Sequence, residues 1–366
     1  MLLIAENENP VLPKEFHLIN DICAIIYDQL TDLLANSSYD PYFKHTAFTV
    51  NPELHQSIED LGNGDTHVLD WLAQNSMNEE VCTTLTKHVS LSILSDFVNF
   101  VYESLSCAKK GKITVAYSLL RKPFTDELLL LEQLLSNKED FIQKFFYNGN
   151  PEQYDPASRN IRRNKKEKEI IENAVQKLTL DSFLSPEIIY SIRYEKSFAN
   201  GINGISNKAL HIVTTDNNYK TLNQNLNFIF SSGPGYYEKH CEHFFYFVPI
   251  LLIYSAAIAD ELLFQYLPEE EHKIEKVLRS FKRLVAYSFL HDKGNESLLD
   301  ALSHSLQYKC EDCNHNKDID KADYELFLRT GFFVCEKCFK PATFTSESID
   351  PIRQLISFKI DDNSAI

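Results

Sequence analysis

Glycine and proline, the two residues that most often shape turns, are scarce in this sequence. The chain has 10 Gly and 13 Pro in 366 residues, well below the usual shares of about 7% and about 5%. A fold of many short strands needs many tight turns, so this shortage argues against an all-β protein. The hydrophobic fraction of 44% is enough for a folded core and excludes disorder and collagen-like repeats. The composition therefore predicts a mainly α-helical fold.

Positive charge is scarce as well. The chain has 36 Lys and Arg against 52 Asp and Glu, which gives a formal net charge of −16. A uniformly negative field repels nucleic-acid phosphates and anionic membranes. This balance excludes a general nucleic-acid coat protein. At about 150 residues per domain, the length predicts two or three domains.

The sequence has few features of a secreted or membrane-spanning chain. Its first five residues are apolar, but Glu6 and Glu8 follow in place of the basic segment and long apolar stretch of a signal peptide. The one long uncharged run, Phe244 to Ala259, contains Pro249 and is shorter than the roughly 20 residues of a membrane span. We interpret it as a buried core helix, with a membrane span as the alternative. We expect a cytoplasmic protein with no membrane partner.

Apolar residues recur at helical spacing along much of the chain. The patterns from Pro13 to Ala35 and from about Asn78 to Cys107 predict two helices. The run from Ile113 to Leu135 contains Pro123, so it kinks there or begins a second helix. Further helix starts are predicted at Ser136 to Glu139, which has capping-box spacing, at Ser185-Pro186-Glu187, and at Pro268 followed by three Glu.

The segment from Gly201 to Gly235 is the least helical part of the body, and its run from Asn225 to Phe230 is typical of a short strand. From these patterns we expect a multi-helix bundle with a small C-terminal module. The predicted regions are an N-terminal helical region at 1–150, a second helical region at 151–304 packed on the first, a zinc-ribbon-like module at 305–345 and an acidic tail at 346–366.

Four of the eight cysteines form two C-x-x-C pairs near the C-terminus. They are Cys310, Cys313, Cys335 and Cys338, with 21 residues between the pairs. Such pairs indicate a metal site in a reducing compartment. Four thiolates can close a tetrahedral shell around Zn²⁺ and leave no position for water, so we predict a structural zinc ion, with a short helix near 320–328 between the pairs. A redox-active dithiol is the alternative, although it would require a thioredoxin-like βαβ unit.

Two single residues are candidates for a catalytic site. Arg121 lies in an apolar helical stretch, with Asp126 and Glu127 after it. A buried Arg needs a carboxylate partner or an anionic ligand, so Arg121 forms a structural ion pair or belongs to a functional site. His211, beside the Gly- and Asn-rich segment, can act as a general acid or base at neutral pH. The alternative for His211 is an ordinary packing residue.

Two further clusters offer weaker site predictions. The basic cluster between residues 159 and 168 opposes the net charge and can contact a phosphate backbone, or it is the solvated start of a helix. Its candidate nucleic-acid-binding residues are Arg159, Arg162, Arg163, Lys165 and Lys166. The run His240-Cys241-Glu242-His243 puts two His on one helical face as a second candidate metal site, without a third ligand.

The run Ser118-Leu119-Leu120-Arg121-Lys122-Pro123-Phe124 with its following acid, and Ala209-Leu210-His211 before a long apolar helix, resemble the all-helical HEPN-like proteins of bacterial defence systems. The resemblance covers about residues 80–290. It implies a helical bundle that pairs as a homodimer, with Arg121 and His211 as site residues. Ribonuclease members of that family carry an Arg followed by four to six residues and then a His on one helix, and Arg121 has no His at that distance.

Three functions remain open from the sequence. The first is a cytosolic binding or regulatory protein, in a bacterial stress or defence setting, in which zinc holds a recognition module rigid and a protein or RNA is the partner. The alternative is a metal-independent ribonuclease. In it, Arg121 would stabilise the phosphorane charge and His211 would move the 2′-hydroxyl proton. A nucleic-acid sensor that uses the basic cluster is a third possibility, and it predicts salt-dependent binding.

Overall fold

A computed structural model describes residues 2–5, 8–50, 61, 66–158, 161, 166–230, 235–291, 298–342 and 344–357. The protein is mainly α-helical, as the composition predicts. The helices are α1 (His17–Ala35), α2 (Asp40–Phe43), α3 (Val68–Gln74), α4 (Asn78–Lys109), α5 (Ile113–Arg121), α6 (Leu128–Ser136), α7 (Lys138–Ile142), α8 (Lys166–Lys177), α9 (Pro186–Tyr194), α10 (Ile202–Leu210), α11 (Tyr236–Phe264), α12 (Glu269–Leu290), α13 (Leu298–Ser305), α14 (Lys321–Thr330) and α15 (Ser346–Ile356). Two short strands, β1 (Gln307–Lys309) and β2 (Asn316–Asp318), pair antiparallel.

Helix α11 lies at the centre of the bundle, where it packs against α1, α4, α6 and α12. Of the described helices, it is the one long and apolar enough to cross a membrane by length and composition, but 94% of its most apolar window is buried inside the protein. This burial agrees with the core helix predicted from the run Phe244 to Ala259. The surrounding hydrophobic core extends from Leu2 to Ile356 and includes side chains of both predicted helical regions.

Pro123 does not end the helix that contains it. Helices α5 and α6 are joined by a π-helical turn, Lys122–Glu127, with Pro123 near its start. Proline has no backbone N–H to donate and its ring clashes with the preceding turn of a regular α-helix, and the wider π-helical turn accommodates both effects. Two carbonyl groups of this turn accept side-chain hydrogen bonds, from Arg193 Nε to the Phe124 oxygen at 2.6 Å and from the Tyr194 hydroxyl to the Thr125 oxygen at 2.7 Å.

The predicted helix starts are mostly present, with one correction. Ser185 caps α9 by accepting the Ile188 N–H at 3.4 Å. At the start of α7, however, the cap is Asn137, whose side chain accepts the Asp140 N–H at 3.0 Å. The Ser136 hydroxyl instead donates to the Glu132 carbonyl within α6, because Ser136 is still the last helical residue there.

Two other segments differ from expectation. The strand-like run from Asn225 to Phe230 forms turns, since it has no neighbouring strand with which to pair among the described residues. The predicted acidic tail begins with a helix, α15, which packs against α12. Ile349, Ile352 and Ile356 are buried there, and their helical spacing explains the packing.

Two groups of buried charged side chains join distant parts of the body. In the first, Arg193 forms an ion pair with Glu132, and both side chains have zero exposure. The Tyr254 hydroxyl donates to the same carboxylate at 2.7 Å. These contacts connect α9, α6 and α11. Burial raises the pKa of Glu132, an effect that Arg193 opposes.

The second group links α1, α11, α12 and the segment before α9. Arg279 donates to both oxygens of Asp260 at 2.7–3.1 Å. Arg283 donates to Asp260 at 2.5 Å, to Asp181 at 2.7 and 2.9 Å, and to the Gln29 side chain at 2.9 Å. In both groups, each buried charged side chain therefore has an oppositely charged partner, as stable burial requires.

Candidate metal centre

The first C-x-x-C pair lies in the turn of the β1–β2 hairpin. The strands pair Lys309 with Asn316 at their inner end, so the intervening residues form a tight loop. In this loop, the Asn314 N–H donates to the Cys310 carbonyl and the Cys310 N–H donates to the His315 carbonyl, both at 2.8 Å. The backbone hydrogen bonds thus fix the direction of the two cysteine side chains.

The second pair repeats this geometry. The Phe339 N–H donates to the Cys335 carbonyl at 2.8 Å, and the Cys335 N–H donates to the Lys340 carbonyl at 2.9 Å. A single bridge between Val334 and Pro341 takes the place of the β1–β2 pairing. The residue after the second cysteine has a left-handed backbone in both loops, with φ of 55° at Asn314 and 58° at Phe339.

The two loops bring the four thiols together. All four Sγ atoms lie within 4.8 Å of one another, with 3.5 Å between the sulfurs of Cys310 and Cys338 and 3.6 Å between those of Cys313 and Cys335. Tetrahedral zinc at the usual Zn–S distance of about 2.3 Å places its sulfurs roughly 3.8 Å apart. These separations are too long for disulfides and fit a single metal ion.

Backbone amides favour the thiolate form of the first cysteine in each loop. The N–H of Cys313 faces the Cys310 sulfur and, with help from Cys338, lowers the pKa of Cys310 to about 6. The N–H of Cys338 similarly lowers the pKa of Cys335. Hydrogen bonds that stabilise a thiolate also favour metal binding, because the deprotonated sulfur is the ligand.

Helix α14 connects the loops and fastens them to the bundle. It lies where the short helix is predicted and begins with a capping box formed by Asp320 and Asp323. On its inner face, the Phe327 ring packs 5.0 Å from Phe281 of α12. Arg329 forms an ion pair with Asp21 of α1 at 2.9 Å. The module is therefore attached to the bundle through both apolar and ionic contacts.

His315 is not a fifth candidate ligand. Its Nε2 lies 2.8 Å from the Glu336 carboxylate, so the ring is engaged beside the cluster and leaves the four cysteines as the set of ligands. This agrees with a sequence in which four Cys already complete the shell.

Arg121 and His211 both contact Asn207 near the end of α10, Arg121 through its guanidinium group and His211 through its backbone N–H. Arg121, at the end of α5, is half-buried and donates to the Asn207 side chain of α10 at 3.5 Å. Glu127, a predicted ion-pair partner, pairs instead with Lys122 at 3.0 Å. His211 is exposed at the end of α10, where its carbonyl accepts from Asn227. Within the described part of the chain, no hydrogen bond joins the Arg121 and His211 side chains, and the ribonuclease alternative stays a prediction.

His240 and His243 do not gather a metal-binding set among the residues described. The Nδ1 of His243 lies 3.1 Å from the Tyr117 hydroxyl, and its Nε2 lies 3.3 Å from the Ala199 carbonyl. Burial lowers the pKa of His240 to about 4 and also lowers the pKa of His243. Both histidine rings pack against Tyr117, at 5.8 and 5.7 Å between ring centroids.

Most of the basic cluster lies outside the described residues, namely Arg159, Arg162, Arg163 and Lys165. Lys166 is the first residue of α8. Lys168 forms an exposed ion pair with Glu172 one turn along the same helix, at 3.7 Å. This part of the cluster agrees with the solvated helix start.

The sequence interpretation missed two features of the metal centre and its support. The left-handed positions Asn314 and Phe339 are signalled only by their place directly after each C-x-x-C pair, where glycine is the residue best suited to positive φ. The buried Arg193 and Arg283 of the body carry no local signal, because their ion-pair partners lie 23 to 102 residues away in sequence. No protein-family model, curated protein or solved structure matches the chain.

Proposed function

We propose that Cys310, Cys313, Cys335 and Cys338 bind one Zn²⁺ ion and that the protein is a cytoplasmic binding or regulatory protein. The observation that carries the zinc assignment is the convergence of four sulfurs within 4.8 Å. Zinc binds four thiolates tetrahedrally and has no redox chemistry. A shell of four protein ligands leaves no open position for water or substrate, so the role of this ion is structural.

Zinc would supply folding energy to a segment with a small core of its own. The core of the module consists mainly of Tyr324, Phe327 and Phe333, whose rings lie 4.9–6.0 Å apart where they pack on Phe333. Segments of this size usually need a metal or disulfides to fold. Binding the ion fixes both loops and holds the start and end of α14 in place.

Metal analysis of the purified protein tests this proposal. Iron should be measured together with zinc, because a four-thiolate site of this geometry also fits iron. We expect about one zinc per chain and no iron. Replacing Cys335, which is fully buried, by Ser removes one ligand, so Cys335→Ser should lose most of the bound zinc.

The matched control is Cys107→Ser, because Cys107 is a free, half-buried cysteine on α4 outside the cluster. It should retain the full zinc content. Iron in place of zinc, or a metal-free protein whose four cysteines are all reduced and accessible, would contradict the assignment.

A further inference from the structure

The segment from residue 211 to 230, which follows α10 and is called here the 211–230 loop, presents large apolar side chains to solvent. Five of them are exposed over 55–74% of their surface: Ile212, Val213, Leu222, Ile229 and Phe230. Single exposed apolar residues are ordinary, but several within one segment mark an interaction site.

The interior of this loop is polar. Among the described residues of the loop, Thr214 is the one that is buried. The Thr214 carbonyl accepts the Thr221 N–H at 2.9 Å, and the Thr214 hydroxyl donates to the Tyr219 carbonyl at 2.7 Å. The Asn227 N–H donates to the Ile212 carbonyl at 2.8 Å. These hydrogen bonds join residues 212–214 to residues 221–227, so Ile212 and Val213 lie beside the second half of the loop.

Two aromatic side chains fix the loop to the bundle. Tyr219 packs on Gly204 of α10 so closely that a Cβ at Gly204 would lie 3.3 Å from the Tyr219 Cβ. Phe228 packs 5.2 Å from the ring of His240 and 6.3 Å from Tyr117. The loop is thus held in a defined position with its apolar side chains outward, although Phe228 carries a left-handed backbone with φ of 61°. Strain of this kind is often retained where a surface has a function.

The charge around the loop differs from that of the whole chain. Residues 196–237 contain three lysines, Lys196, Lys208 and Lys220, and a single acid, Asp216. Asp216, the one acid in residues 211–230, is paired with Lys196 at 2.7 Å. In a protein of net charge −16, this segment therefore has a local excess of positive charge, carried by Lys208 and Lys220.

We propose that the 211–230 loop docks a segment of a partner protein in which apolar side chains stand next to Asp or Glu. This inference rests on the proposed binding function and gives it a partner of defined chemistry. The apolar side chains would supply the buried area, and Lys208 and Lys220 would select for carboxylates.

The charge distribution favours a peptide segment over the other occupants of an apolar surface. Electrostatic interactions between exposed charges decay over about 8 Å at physiological salt. A short acidic segment on the loop meets chiefly the charges of residues 196–237, whereas an anionic membrane or a second copy of the chain also faces the negative remainder of the surface.

Selection from a displayed library of random peptides, with the intact zinc-loaded protein as bait, tests the proposal. We expect the enriched peptides to combine apolar residues with Asp or Glu. A synthetic peptide of the consensus should bind at least about tenfold more weakly to Ile212→Asp and to Leu222→Asp, because both substitutions place a carboxylate on the docking surface. The double variant Lys208→Glu/Lys220→Glu should prefer the charge-reversed peptide.

The matched control is Val68→Asp, since Val68 is an exposed aliphatic residue on α3 and not part of the loop. Circular dichroism and zinc content of every variant show that the fold and the metal site are intact, so a failure of docking is distinguished from a failure of the zinc assignment. Peptides that bind the loop variants and the wild type equally would overturn the proposal. So would loop-dependent binding to anionic vesicles, or a loop-dependent dimer in sedimentation, without acidic peptide enrichment.

Discussion

The helical body and the four-cysteine module are held together in different ways. In the body, contacts join residues far apart in sequence, such as Arg283 of α12 and Gln29 of α1 at 2.9 Å. In the module, the four cysteines lie within the 29 residues from Cys310 to Cys338. Their sulfurs converge because two short loops repeat one backbone geometry. The body supplies most of one continuous core, to which the module contributes only a few buried rings.

This difference implies that the two regions depend on different free energies. The body is stabilised by apolar burial and by buried ion pairs whose charges are matched. Under the proposed zinc assignment the module depends on metal binding, which in small zinc-binding peptides contributes on the order of 10–16 kcal/mol of apparent folding free energy at neutral pH. Treatments that act on one region should therefore spare the other.

Metal removal should produce the largest effect, and it should be confined to the module. A strong chelator is expected to increase hydrogen exchange across 310–342, because the two loops lose the metal ion that they share. Trp71, the single tryptophan, is buried in the body, so its fluorescence should stay unchanged. Hydrogen exchange detected by mass spectrometry, with tryptophan emission recorded in parallel, measures the two regions separately.

Cys107→Ser, treated in the same way, controls for direct effects of the chelator on free thiols. A shift in Trp71 emission at the same chelator concentration that loosens the module would show one cooperative unit, and the comparison between the two regions would fail.

Breaking a buried ion pair should produce the next largest effect, and it should act on the body. Arg193→Leu leaves the fully buried Glu132 without its cation, which costs about 3–5 kcal/mol. The double variant Arg193→Leu/Glu132→Leu removes both charges and should recover much of this loss. Urea unfolding followed by Trp71 fluorescence measures both variants.

The exposed pair between Lys44 and Asp40 provides the control. Lys44→Ala should change the free energy of unfolding by less than about 1 kcal/mol. Zinc content should be unchanged in all of these variants. If the double variant were as unstable as Arg193→Leu alone, the loss would reflect packing and not the unpaired carboxylate.

The sequence predicts the module in more detail than the body, for a physical reason. The cysteine ligands, the helix between them and its approximate bounds follow from local spacing, because a C-x-x-C loop determines its own geometry. The helices of the body also follow from local periodicity. The partners of Arg193 and Arg283, by contrast, are set by packing between helices, and no short-range pattern specifies them.

The 211–230 loop and Arg121 show the same limit. The Gly- and Asn-rich composition predicts an irregular segment, but not the polar interior at Thr214 that turns Ile212 and Leu222 outward. Arg121 is predicted to pair with Asp126, Glu127 or a residue of another helix, or to belong to a functional site, and in the structure it donates to Asn207 of α10. Side-chain direction in loops and at helix ends depends on tertiary contacts.

The smallest predicted effect compares the two loops of the module with each other. Phe339 and Asn314 occupy equivalent left-handed positions, but a left-handed conformation costs most L-residues about 1–2 kcal/mol, whereas Asn tolerates it. The Phe339 side chain is 79% exposed, so its removal loses little packing. Phe339→Gly should therefore stabilise the module by about 1 kcal/mol and Asn314→Gly by less, measured as zinc affinity in competition with a chelator.

Weaker zinc binding in Phe339→Gly would mean that the exposed ring has a packing role that outweighs the backbone strain. Equal gains in the two variants would mean that the strain at Phe339 is no greater than at Asn314.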